Sequence, residues 1–98
     1  MSRSYVYILK CSDGTYYTGS TKNLWQRRQE HHEGEAANYT RRRRPVVLVY
    51  YDVFERIDDA FEREKQIQGW RREKKKALIN GEQERLPELA KKVAKGNR

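Results

Sequence analysis

Residues 5–21 read YVYILKCSDGTYYTGST. Tyr5–Cys11 is rich in β-branched and aromatic residues, Ser12-Asp13-Gly14-Thr15 supplies turn chemistry, and Tyr16–Thr21 resumes β character. That pattern is a hairpin, and it decides the fold because every other element must be placed around it. Gly19 is its anomaly, since a glycine inside a strand weakens pairing and has no side chain to pack. One explanation is that a Cβ there would obstruct the approach of a phosphate or a neighbouring backbone to Tyr17.

Outward from the hairpin, Thr21 or Asn23 can cap a helix running to about Gly34, whose glycine is a stop signal. Residues 35–45 hold at most one short helical turn. Residues 46–54, VVLVYYDVF, form the most apolar run of the chain, which predicts a strand buried on both faces and central in its sheet. A helix begins near Ile57 with Asp58 and Asp59 in its first turn, where negative charge suits the dipole, and runs to Gln68 before Gly69 interrupts. A second helical stretch, Arg71–Ile79, stops at Asn80-Gly81. The order β-β-α-β-α-α is an α+β domain, a small, mostly antiparallel three-stranded sheet flanked by helices, over residues 4–80. Residues 81–98 alternate charge with a few leucines and alanines, as expected of a weakly helical or disordered tail.

The chain has 98 residues with 22 Lys+Arg against 14 Asp+Glu, a net charge of +8. Such an excess is the electrostatic footprint of a nucleic-acid partner. It is also clustered: Arg41, Arg42, Arg43 and Arg44 are contiguous, and residues 71–76 read RREKKK, ending in Lys74, Lys75 and Lys76. A basic solvated surface is the plainer account of the same charge. One cysteine, Cys11, cannot make an internal disulfide, and no basic start followed by an apolar run opens the chain. A cytoplasmic protein with no membrane association is expected, and a monomer.

Helical periodicity puts Ile57, Ala60, Phe61 and Ile67 on the stripe that must meet the sheet, with Glu64 in its middle. A carboxylate there is expensive unless paired, hydrogen-bonded or metal-bound. In the first helix, Leu24, Arg27, Arg28 and His31 share one side, with Arg27 and His31 spaced i, i+4. Tyrosine hydroxyls, an arginine, a histidine and one sheltered carboxylate are the groups phosphodiester cleavage needs. Arginine grips phosphate bidentately, and a hard cation on a carboxylate stabilises charge on a leaving oxygen. There is no zinc-ligand spacing, no GxxxxGK[ST] and no GxSxG. One carboxylate is nevertheless a normal endowment for Mg²⁺, which keeps several waters and takes other ligands from substrate phosphate.

These residues resemble the GIY-YIG endonuclease domain, most closely its small stand-alone bacterial members. The first motif stands here as Tyr5-Val6-Tyr7 and the second as Tyr17-Thr18-Gly19, one on each arm of the hairpin. Arg27 follows where the family carries its catalytic arginine, His31 where it carries a His or Tyr, and Glu64 where it carries the metal-binding glutamate. Tyr5 replaces the first Gly and Thr18 the middle Ile of the family's pattern. The resemblance covers about residues 4–79. It implies a metal-dependent endonuclease, acting on DNA in repair or processing, with one Mg²⁺ or Mn²⁺ on Glu64. In the implied chemistry Tyr7 or Tyr17 is the general base, helped by Arg27 or by a relay through His31, and Arg27 stabilises the transition state. Arg41–Arg44 and Lys74–Lys76 are expected to hold phosphates, with little sequence specificity or with selection of DNA shape. The alternatives are a non-catalytic nucleic-acid binding module of the same fold and a protein-interaction adaptor using the last helices and tail.

Overall fold

The computed structural model describes residues 3–82, so most of the charged tail lies outside the described residues. The chain divides into two compact units, Met1–Gln68 and Gly69–Arg98, each described by itself. The first unit holds β1 (Ser4–Lys10), β2 (Tyr16–Thr21), α1 (Leu24–His32), the single-turn α2 (Asn38–Arg41), β3 (Val47–Phe54) and α3 (Ile57–Gln68). In the second, α4 (Arg72–Ile79) ends on Gly81, whose φ of 76° suits a glycine after a helix terminus.

The expected hairpin forms. β1 and β2 pair antiparallel from Tyr5 opposite Thr21 to Lys10 opposite Tyr16. Its turn is closed by Cys11 N–H donating to Thr15 O and Gly14 N–H to Cys11 O, and Gly14 takes the φ of 84° that a side chain would resist. Asp13 completes it by accepting from both the backbone and the hydroxyl of Thr15. These bonds, followed by the Arg43 guanidinium, hold its carboxyl below the usual range.

The sheet order is β2-β1-β3, all antiparallel. β1 is therefore central and β3 an edge strand, contrary to the expectation from its apolar run. Burial explains the reversal: Val6, Tyr7, Ile8 and Leu9 are all essentially inaccessible, whereas Val47, Tyr51 and Val53 stay largely exposed. Past the buried Val46, the hydrophobicity of residues 47–54 is spent on one edge of the sheet, and a register shift opposite Ile8/Leu9 breaks its alternation.

Strand alternation gives β1 two faces. Tyr7 and Leu9 point into one core with Cys11, Leu24 and Val46, flanked by Tyr5, Tyr17 and Leu48. Val6 and Ile8 point the other way, where α3 lies against β1 and β2. On α3, Ala60 and Ile67 are fully buried as the periodicity requires, but Phe61 is exposed and carries the Lys65 ammonium 4.7 Å from its ring. The buried stripe is thus narrower than predicted.

Candidate active site

α1 starts where β2 leaves the sheet. Asn23 is the cap: its side chain accepts from Gln26 N–H at 3.0 Å, and the Thr21 hydroxyl braces Asn23 N–H. The helix ends on Gly34 with φ 79°, and Glu35 N–H returns to Glu30 O. Between these ends Leu24 and His31 face inward and are buried, so His31 is a core histidine over the central strand.

Its two ring nitrogens are both engaged. Nδ1 lies 2.8 Å from the Thr40 hydroxyl, and Nε2 lies 2.8 Å from the Tyr7 hydroxyl. The Thr40 hydroxyl also donates to Ala37 O, which spends its only proton. His31 therefore donates from Nδ1 and accepts the Tyr7 proton at Nε2. Burial, then the Arg27 charge, lowers its pKa to about 4, so the imidazole is neutral at ordinary pH and free to accept.

Tyr7 is buried, and its ring occupies the space that a Cβ on Gly19 would need. A Cβ there would sit 2.6 Å from Tyr7 Cζ and closer still to its hydroxyl. The glycine answers to Tyr7, its cross-strand partner, and not to Tyr17 as the sequence suggested. Burial, and next the neighbouring Tyr17, raises the Tyr7 pKa, while Arg27 works in the opposite direction. Tyr17 is also raised, by burial and then by the Glu64 charge. Its ring packs edge-on to His31 at 5.2 Å and stacks on Tyr39 at 6.0 Å, and the Arg43 guanidinium lies 3.8 Å from the centre of the Tyr39 ring.

Glu64 comes from α3. Its carboxylate accepts from the Ser20 hydroxyl at 2.5 Å and from Gln68 Nε2 at 2.8 Å, and Gln68 also reaches the Thr18 carbonyl. Its partners among the described residues, a hydroxyl and an amide, are neutral. Arg27 instead bonds Glu30 at 3.0 Å. Arg27 lines an open cleft of about 380 Å³ with Ser20, Lys22, Gln26, Glu30 and Ile57.

The structure thus brings Tyr7, Tyr17, Arg27, His31 and Glu64 into one electrostatic neighbourhood, since Arg27 and Glu64 act on both tyrosines. The proposed phosphate grip divides. Arg43 bonds Asp13 and the Tyr39 carbonyl, and Arg44 reaches the carbonyls of Arg41 and His32, so both tie the loop down. Arg41 and Arg42 project into solvent. In the second unit Lys74 lies 4.1 Å over the Trp70 ring, burial lowers the Lys75 pKa, and Lys76 is exposed. Thr40 and Ser20 were not legible as partners, whereas Gln68, four residues after Glu64 on one helical face, carried a usable signal.

The GIY-YIG catalytic domain model matches residues 3–77. The chain belongs to the GIY-YIG family. Curated relatives include a UPF0213 protein of Staphylococcus saprophyticus, 44% identical over 82% of this chain and 98% of its own length. Another is a UPF0213 protein of Staphylococcus aureus, 46% identical over 81% and 96%. Among solved structures, the solution NMR structure of the UPF0213 protein BH0048 from Bacillus halodurans matches with a TM-score of 0.53 at 38% identity, covering 80% of this chain and 83% of that one. A small stand-alone GIY-YIG protein is thereby supported, and its domain is of the nuclease type.

Proposed function

We propose that this chain is a divalent-metal-dependent endonuclease that hydrolyses DNA phosphodiester bonds, selecting by backbone and shape. The observation that carries the reading is the chain Tyr7–His31–Thr40, with Arg27 and Glu64 both acting on the Tyr7 hydroxyl. A phenol is a poor base at neutral pH because its proton is held too tightly. Here the proton points at a neutral imidazole whose tautomer is fixed by Thr40, and the guanidinium opposes the burial that resists ionisation. Tyr7 is accordingly the general base towards water, with His31 receiving its proton. Tyr17, packed on His31, shapes the approach. Arg27, on the wall of the cleft, binds the phosphate and stabilises the charge that grows on it.

The donor set suits a hard cation: the Glu64 carboxylate, the Ser20 hydroxyl and the Thr18 carbonyl are all oxygen. Among the described residues no cluster of three His, Cys, Asp or Glu side chains exists, as fits Mg²⁺ or Mn²⁺ holding most of its waters and not zinc. Bound on Glu64, such an ion supplies Lewis-acid stabilisation of the leaving oxygen. Location in the cytoplasm, a monomeric state and a part in DNA repair accompany this reading.

The test is cleavage of a panel of flaps, forks, single strands and duplexes with and without Mg²⁺ or Mn²⁺. Glu64→Gln and Arg27→Ala are expected to lower cleavage by at least about a hundredfold while retaining binding. A chain that binds the panel but cuts none of it leaves the binding-module alternative standing.

A further inference from the structure

Trp25 lies in the first turn of α1 and is 70% exposed, the most exposed of the large hydrophobic residues described. It adds nothing to the core, and an indole left in water forgoes a large burial gain. Arg28, one turn on, places its guanidinium 5.8 Å from the ring, and its Nε is buried without a hydrogen-bond partner. Arg27, which lines the cleft, follows two residues after Trp25 and so points about 160° away from it round the helix. We propose that Trp25 and Arg28 form a stacking site for an unpaired nucleobase of a single strand. The proposal rests on the nuclease reading and narrows its substrate to DNA with an unpaired stretch.

Three observations favour this occupant. An open aromatic face flanked by a guanidinium matches a π-face next to a phosphate, the pairing that single-strand binding surfaces use. The chain's charge of +8 favours a polyanion over a protein surface. Bases inside a duplex already stack on one another, so only an extruded or single-stranded base can reach an indole on a helix surface.

The experiment uses the full chain in EDTA, so that nothing is cut, with Trp70→Phe introduced so that Trp25 is the only tryptophan. A short oligothymidylate is expected to quench Trp25 emission saturably. Trp25→Ala is expected to weaken that oligonucleotide's binding about tenfold and leave binding of a blunt duplex unchanged, with Trp25→Tyr restoring most of the loss. Because the Trp25 ring is exposed, the Trp25 variants should keep the melting temperature of the Trp70→Phe background. The proposal is overturned by absent quenching, by equal loss on both ligands, or by no loss on either. It is also overturned if Trp25→Ala changes the sedimentation of the protein alone, which would assign the ring to a second copy. Cleavage with Mg²⁺ is scored separately. A chain that cuts while Trp25 stays silent keeps the nuclease reading and loses the stacking site, and one that binds through Trp25 and cuts nothing does the reverse.

Discussion

Two residues set the local physics of the site, and each makes a prediction. Gly19 lacks the atom that would strike the Tyr7 ring, so Gly19→Ala should destabilise the fold by about 1–3 kcal/mol through overpacking. Denaturant midpoints should show a smaller penalty when Tyr7 is already Ala, because the space is then free. Equal penalties in both backgrounds would mean that the ring is not what the glycine accommodates. His31 is held neutral, with its folded pKa of about 4 well below the ordinary value of about 6.5. Its contribution is therefore fully present above pH 6.5 and is lost as pH falls through 4, a loss of about 3 kcal/mol. Urea unfolding across that window should fall steeply for the parent and more gently for His31→Gln, which cannot take up the proton. The sequence exposed the identities of these residues but not their depth. Adjacent histidines, His31 and His32, look alike in a string, and only the capping at Asn23 and Gly34 fixes which one faces the strand.

At the scale of elements, the hairpin and the helix termini were legible because turns and caps are local: Gly14, Asn23, Gly34 and Gly81 behave as their chemistry dictates. The place of β3 was not, because an apolar run of β-formers reads the same on an edge as in the centre, and the outcome depends on long-range pairing with β1. Likewise Phe61 fits the helical stripe of α3 by angle yet falls beyond the sheet it was expected to meet. The arginine run after α2 shows the same limit. Four identical side chains separate into two that bond carbonyls and Asp13 and two that do not. Replacing Arg41 and Arg42 together with Ala should weaken duplex binding and flatten the logarithmic salt slope by about 2, with stability unchanged. Replacing Arg43 and Arg44 should lower the melting temperature by freeing the loop between α2 and β3, and change the salt slope less. Identical slopes for the two double variants would contradict this division.

Across the whole molecule, a chain of 98 residues with a thin core places a buried polar network over its central strand, where a larger apolar side chain would be the more stabilising choice. The family's motif residues were legible in order along the chain, and their convergence follows from one hairpin, one helix laid across it and one helix behind it. That arrangement dictates how rate should vary with pH. In the free protein both tyrosines sit above their ordinary pKa of about 10, so at neutral pH fewer than about one molecule in a thousand carries the phenolate. His31, neutral above about pH 5, contributes no titration of its own in the working range. Because the Tyr7 proton passes to His31 inside the protein and is not lost to solvent beforehand, the logarithm of kcat/KM should stay nearly level between roughly pH 6 and 9, with no inflection near 6.5. Tyr7→Phe should fall below the parent by about a hundredfold or more throughout, because the ring still fills its place against Gly19 while the proton to be transferred is gone. A plateau with a midpoint near the ordinary histidine value would show His31 acting as the base itself, and would remove Tyr7 from that role. A Tyr7→Phe variant that follows the parent's profile at nearly the same rate would remove it equally, leaving Tyr7 as the buried partner that keeps His31 in place.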